Sequence, residues 1–186
     1  MSNIPKDIVK IIIQYAGNRE IILLQDLCPE LLKYVIVYDL DEINKDNYKY
    51  IQQLCPADNV TDDDFKCLIN IISLDLSKNK KITDEGIKSM TKLINLNLRC
   101  NNKITDEGIK GLTNLTSLNL ESNDKITDEG IKGLTNLTSL NLYNNDKITD
   151  EGIKHLINLT NLDICWNNKI TNKIIKGMTN LIKIIR

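Results

Sequence analysis

Few residues of this 186-residue chain have the type and spacing for bond chemistry. The one histidine, His155, would need a carboxylate to orient it and a nucleophile within reach before it could act as a general base. Matching segments carry Ser89, Gly111, Gly133 and Gly177 at its position, so no catalytic constellation is built around it. The cysteines, Cys28, Cys55, Cys67, Cys100 and Cys165, are five in number and widely spaced. Without a Cys-x-x-Cys pair or a Cys/His cluster, no zinc site is expected. A glycine-rich phosphate loop is also missing from the pattern. The expectation is a protein that is not an enzyme, with no catalytic residues, no cofactor and no metal. Unpaired thiols read as reduced ones, which places the chain in the cytoplasm or nucleus.

Composition narrows the partners. A net charge of −1 and a pI of about 5.9 give no basic excess for a sequence-independent grip on nucleic acid. Pure apolar runs are short, as at Ile11–Ile13, so no membrane-spanning helix is expected. The opening MSNIPKDIVK lacks the basic and apolar regions of a secretory signal. Isoleucine, asparagine and lysine dominate the composition, a bias that implies an A/T-rich genome. Aromatic residues are 4% of the chain, so the core must be aliphatic.

The elements that position the remaining side chains follow from a repeat. Ile71, Leu93, Leu115, Leu137, Leu159 and Leu181 recur with a 22-residue period, and Lys103–Leu120 returns unchanged at Lys125–Leu142. Full units run over 71–92, 93–114, 115–136, 137–158 and 159–180. A partial unit follows at 181–186, and a degenerate one precedes at 49–70. Each unit begins L-x-x-L-x-L-x-x-N, the alternation of a half-buried strand. In the third unit Leu115, Leu118 and Leu120 point inward and Ser117, Asn119 and Glu121 outward. The second half, K-I-T-D-E-G-I-K-x-L, carries Ile126, Ile131 and Leu134 at helical spacing. Thr127 is the expected N-cap, with Asp128 and Glu129 in the first turn. One such unit cannot bury its apolar face alone, so neighbours must stack. Parallel strands about 4.8 Å apart would line one face and helices the other. The inward row Asn79, Asn101, Asn123, Asn145 and Asn167 is expected to bond the backbone of the next coil. Gly86, Gly108, Gly130 and Gly152 would let the helices pack closely.

These units resemble leucine-rich repeats. The I-T-D-E-G-I string resembles the cysteine-containing subtype, although Asn stands where many members carry cysteine. The resemblance implies an α/β solenoid with a parallel sheet on its concave face, spanning 46–186.

Comparing the units separates scaffold from variation. The residue after the last strand leucine changes every time: Ser77, Arg99, Glu121, Tyr143, Cys165. The next one also changes: Lys78, Cys100, Ser122, Asn144, Trp166. The preceding outward row stays small and polar: Asp75, Asn97, Asn119, Asn141 and Asp163. Diversity at one edge of a concave surface points to partner recognition, and Arg, Tyr and Trp dominate interface energetics. The candidate partner-binding residues are therefore Asp75, Asn97, Arg99, Asn119, Glu121, Asn141, Tyr143, Asp163, Cys165 and Trp166. The lysine rows at Lys88, Lys110, Lys132 and Lys154 sit beside glutamates and read as a solvated face.

Residues 1–45 lack the repeat period. Ile4, Ile8, Ile11, Ile12 and Tyr15 form a helical stripe, and apolar segments follow at Ile21–Leu27 and Leu31–Val37. Three short helices in this length need the repeats or a partner for a core. The spacing of Ile4, Pro5, Asp7, Ile8, Val9 and Ile12 resembles the opening of an F-box, and Leu27-Cys28 its later pair. The usual tryptophan is replaced by Leu31 or Leu32. The order of the two parts is similar to that of F-box/leucine-rich-repeat proteins. That resemblance implies a substrate-recognition adaptor of a Skp-cullin-F-box ubiquitin ligase. Ile4, Pro5, Asp7, Ile8, Ile12 and Leu27 would contact a Skp-type adaptor, and the strand ends an unidentified protein substrate. The alternative is a general protein-binding module whose N-terminal helices only cap the solenoid. At the other end, Leu181, Ile182, Ile184 and Ile185 form a bare apolar strand, expected to be covered by another chain or continued by missing sequence.

Overall fold

The computed structural model describes residues 36–37, 53–54, 60–66, 68 and 70–186. The F-box-like residues Ile4, Pro5, Asp7, Ile8, Ile12 and Leu27 lie outside them, as do Cys28, Cys55 and Cys67.

An eight-stranded parallel sheet runs in strict sequence order. Its strands are β1 (Ile36–Val37), β2 (Gln53–Leu54), β3 (Ser73–Asp75), β4 (Asn95–Asn97), β5 (Ser117–Asn119), β6 (Ser139–Asn141), β7 (Asn161–Asp163) and β8 (Lys183–Ile185). Leu74, Leu96, Leu118, Leu140 and Leu162 pair in one register line that ends at Ile184. Between strands lie the helices α1 (Asp62–Phe65), α2 (Asp84–Ile87), α3 (Asp106–Ile109), α4 (Asp128–Ile131), α5 (Asp150–Ile153) and α6 (Asn172–Gly177). The repeat thus gives the stacked strand-and-helix units its period requires.

The core is a single aliphatic column. Leu115, Leu118, Leu120, Ile126, Ile131 and Leu134 are each at most 1% exposed, and the same positions are buried in the units on either side. Each side chain of this size gains roughly 1.5–3 kcal/mol on burial. No coil holds enough of them to fold by itself.

Three features differ from the expectations. First, the helical half is a single turn: α4 closes at Lys132, whose N–H bonds the Asp128 carbonyl at 3.0 Å. Leu134 comes from the following turn. The next strand leucine, Leu137, must return to the sheet shortly afterwards, and that leaves no room for a second helical turn. Second, the segment expected as a third N-terminal helix ends in strand β1, which pairs with β2. Third, the degenerate unit keeps the repeat spacing between Asp62 and Asp84 in the helices, but Leu54 pairs with Leu74, a shorter step along the chain. Its strand-to-helix connection is therefore shorter than those of the full units.

Side chains stitch one coil to the next. Asn123 is 2% exposed. Its Nδ2 donates to the carbonyls of Leu98 and Asn101 at 3.2 and 2.8 Å, and its Oδ1 accepts from the N–H groups of Lys125 and Ile126. Asn101 and Asn145 repeat this set. The amide therefore reaches back to the preceding coil rather than forward to the next, and orders its own loop at the same time. A second row of asparagines, Asn114, Asn136, Asn158 and Asn180, donates from the back of one coil to the carbonyl of Thr91, Thr113, Thr135 or Ile157 in the coil before.

The I-T-D-E-G string holds a third stitch. Thr127 caps α4 as expected, accepting from the Glu129 N–H at 3.3 Å. Its own N–H and hydroxyl donate to the two carboxylate oxygens of Asp106 in the preceding coil, at 2.8 and 2.6 Å. The same clamp joins Asp62 to Thr83, Asp84 to Thr105, Asp128 to Thr149 and Asp150 to Thr171. The glycines make room for that carboxylate. A Cβ at Gly86 would stand 2.6 Å from the Asp62 Oδ1, and one at Gly130 would strike the Asp106 carboxylate.

Two expectations follow. Asn123→Ala strands two carbonyls and two amides in a buried loop and should lower stability by about 3 kcal/mol in urea unfolding, while the exposed Asn102→Ala changes little. Gly130→Ala should destabilise the protein despite the ~1 kcal/mol gain in helix propensity. Gly133→Ala, with open space around its Cβ, should be neutral or stabilising by about 0.5 kcal/mol. Equal effects at the two glycines would sink the clamp as their explanation.

Candidate functional site

The concave sheet face presents two outward rows, and its far edge carries two more. Along the strands, Ser73, Asn95, Ser117, Ser139 and Asn161 form the first row, and Asp75, Asn97, Asn119, Asn141 and Asp163 the second. An open trough of about 330 Å³ lies over β3–β5, lined by Ser73, Asp75, Asn95, Asn97, Ser117 and Asn119.

The second row has a structural role at one atom. The Oδ1 of Asp75, Asn97, Asn119, Asn141 and Asp163 accepts the N–H two residues on, at 2.8–3.0 Å. This Asx turn swings the chain out of the strand. The small polar character of the row therefore has a local cause. Asp75 keeps Oδ2 for the Asn97 amide at 3.0 Å. The amides of Asn119 and Asn141 still face the concave side.

The turn delivers the chain to a backbone position that the sequence does not reveal. Lys78, Cys100, Ser122, Asn144 and Trp166 all have φ between 50 and 61°. Only Asn144 is a residue type that favours this left-handed region, and a bulky residue there is an outlier. Because the type changes in every unit, no glycine or asparagine pattern announces it. Backbone bonds to the next coil hold the first four members: the Lys78 N–H reaches the Arg99 carbonyl, and the Asn144 N–H the Cys165 carbonyl, each at 2.9 Å.

Among the variable residues, the structure joins Arg99 and Glu121. Their Nε and Oε1 lie 2.9 Å apart across adjacent coils. The sequence offers them as separate contacts, and the structure makes them one ion pair with Arg99 still half exposed. Tyr143 and Cys165 follow on the next coils. Trp166 is 70% exposed. The edge thus grades from a charged pair at β4–β5 to an aromatic group at β6–β7. Cys100 is exposed, Cys165 half-buried, and both are free thiols.

Among the described residues no group of three His, Cys, Asp or Glu could hold a metal. His155 is exposed, on the side away from the sheet. On that side Lys88–Glu85 and Lys110–Glu107 pair at 2.6 Å, and Lys132 pairs with Glu129 and Lys154 with Glu151. The lysine rows are a solvated face. No helix among the described residues is long and apolar enough to cross a membrane.

A family profile described as leucine-rich repeat matches residues 68–90, 89–112, 111–134 and 133–156. No curated protein matches the sequence. Among solved structures, internalin C2 of Listeria monocytogenes is 26% identical, with a TM-score of 0.61 over 84% of this chain and 73% of its own. A chain of the Rad7 and Elc1 complex of yeast is 23% identical, with a TM-score of 0.58 over 85% of this chain and 51% of its own. The Toll–Spatzle complex of Drosophila gives 16% identity and a TM-score of 0.55, over 83% of this chain and 24% of that one. The last two show the shared fold alone.

Trp166→Asn is expected to keep or raise stability, by up to about 1 kcal/mol, since it relieves a strained backbone position and uncovers little core. Arg99→Ala should change stability by less than about 1 kcal/mol, as an exposed ion pair does. Loss of several kcal/mol in either variant would make the residue part of the scaffold.

Proposed function

We propose that this chain, whose residues 68–156 are leucine-rich repeats, is a non-enzymatic protein-interaction module that binds its target at the strand-end edge of the concave face. One observation carries the reading. Within near-identical coils, the varying side chains gather on this edge, and one of them, Trp166, occupies a backbone position against its own preference while 70% exposed. A scaffold under selection for stability alone would place Asn or Gly there. Arg99 with Glu121 would supply orientation, and Tyr143 and Trp166 the desolvated anchors. Asn119 and Asn141 would offer amides to the target between them.

The N-terminal resemblance extends the proposal. Ile4, Pro5, Asp7, Ile8, Ile12 and Leu27 would seat on a Skp-type adaptor in the cytoplasm or nucleus. The chain would then act as the substrate-recognition part of a ubiquitin ligase, working by raising the local concentration of target lysines. Strand β1 favours the capping alternative, because residues of the N-terminal segment extend the sheet beyond the repeats. The cysteine-containing subtype, resembled by the I-T-D-E-G-I string, belongs to the same proposal.

Two measurements test it. A pull-down with a purified Skp-type adaptor should retain the wild type and lose Ile8→Glu, with both shown folded by circular dichroism. Retention of neither reduces residues 1–45 to a cap and leaves the concave module standing. For the concave site, a photo-crosslinking residue at position 143 identifies the target. Tyr143→Ala or Trp166→Ala should then weaken the target at least tenfold, and His155→Ala on the opposite side should not. Equal loss from all three would remove the strand-end edge as the site.

A further inference from the structure

The loops that leave the sheet carry a third variable row, and it varies in charge. Lys80, Asn102, Asp124, Asp146 and Asn168 stand one residue past the buried asparagine of each coil, and all are exposed. The asparagine orders the loop through the N–H groups two and three residues on. The scaffold therefore makes no demand on the side chain between them.

Taken together, the loop positions divide the edge by charge. Residues 77–81 and 99–103 hold five cationic side chains, Lys78, Lys80, Lys81, Arg99 and Lys103, and no acidic one. All five are exposed. Of these, Arg99 alone is in an ion pair among the described residues, with Glu121 of the next coil. Asp75, on the strand beside them, is already bonded by the Ser77 N–H and the Asn97 amide. Residues 121–125 and 143–147 reverse the balance, with Glu121, Asp124 and Asp146 against Lys125 and Lys147. Ser122, Asp124, Asn144, Asp146 and Lys147 line one open trough of about 340 Å³, so side chains at these loop positions share a surface. Tyr143 stands on the same loops, partly exposed.

We propose, on the reading of the strand-end edge as the binding site, that it takes an extended segment of the target that is acidic at one end and apolar at the other. The carboxylates lie over the cationic loops of the first two coils, and a large apolar side chain packs beside Tyr143. The coils of Lys78 and Tyr143 are three strands apart, about 14 Å at ~4.8 Å per strand, which an extended chain covers in about four residues. Asp124 and Asp146 discriminate, because they repel a segment that stays acidic along its whole length. Other occupants fit less well. A nucleic acid repeats its phosphates at constant spacing, whereas the edge changes sign after two coils. A second copy turned end for end would set Lys81 against Lys147 and Lys103 against Lys125.

Peptide selection on the full chain tests this. A random dodecapeptide library on phage is panned against the immobilised protein and against a blank surface. Enriched sequences should carry paired aspartates or glutamates with a leucine or aromatic residue about four positions away. A synthetic peptide of that consensus should bind the wild type, and the double variant Lys78→Glu, Lys80→Glu should bind it at least tenfold more weakly. Replacing the peptide's carboxylates by amides removes the same contacts from the other side, without touching the protein's fold, and should cause the same loss. Asp124→Lys with Asp146→Lys should admit peptides acidic throughout. Enrichment of apolar sequences without acidic residues, lost in Tyr143→Ala, overturns this inference and leaves the edge standing as a binding site. No enrichment over the blank surface overturns it too, while crosslinking at position 143 still decides the edge itself. Retention of oligothymidylate, or a dimer in sedimentation velocity, that is lost in the double lysine variant without peptide enrichment assigns the cations to another occupant and also overturns it.

Discussion

A coil built from a short strand, a one-turn helix and the loops between them leaves most of its backbone N–H and C=O groups without partners in regular structure. Buried, each such group costs about 1–3 kcal/mol if unpaired. The fold depends on how those groups are satisfied. Asn101, Asn123 and Asn145 each supply two donor and two acceptor contacts to loop backbone while almost fully buried. The Asp–Thr clamp satisfies the backbone N–H of Thr83, Thr105, Thr127, Thr149 and Thr171 from the coil before each. No buried side-chain nitrogen or oxygen among the described residues is left without a partner. Stability is thus a property of interfaces between coils, as in a one-dimensional stack.

That constraint decides where variation can live. Leucines of the strand are fixed by the core, Asn123 and its equivalents by the loop, Thr127, Asp128 and Gly130 by the clamp, and Asn119 by its Asx turn. The two positions after the last strand leucine are held through their own backbone groups, the first by the Asx oxygen and the second, from Lys78 to Asn144, by a bond to the next coil, so their side chains are free to differ. Binding residues accumulate there because the scaffold makes no demand on side-chain type, although it does demand a left-handed backbone at the second of the two. Lys78, Cys100, Ser122 and Trp166 all meet that demand without a residue type that favours it, and among them Trp166 is the large apolar side chain left exposed.

Much of this was legible in the residues. The constant spacing of Leu93, Leu115 and Leu137 implied the parallel stack, and the alternation Leu118, Asn119, Leu120 implied the inward and outward faces. Thr127 as N-cap and the burial of Asn123 followed from type and position. The pairing of Arg99 with Glu121 was not legible, since their separation is one repeat and does not distinguish a contact from mere equivalence. The role of Gly130 was half legible: its recurrence marked a close approach, but the approaching group is the Asp106 carboxylate rather than a helix backbone.

Periodicity by itself determined which positions are equivalent, which face the core and what class of fold results, because burial of leucine and isoleucine at fixed spacing permits one stacking solution. Only the tertiary structure decided which neighbour each equivalent side chain touches. Asn123 reaches back one coil, Asp106 reaches forward one, and the chain turns after Asn119 into a left-handed residue. These choices depend on the offset between adjacent coils, a small rise set by strand pairing, and a strictly repeating sequence carries no record of that offset's direction.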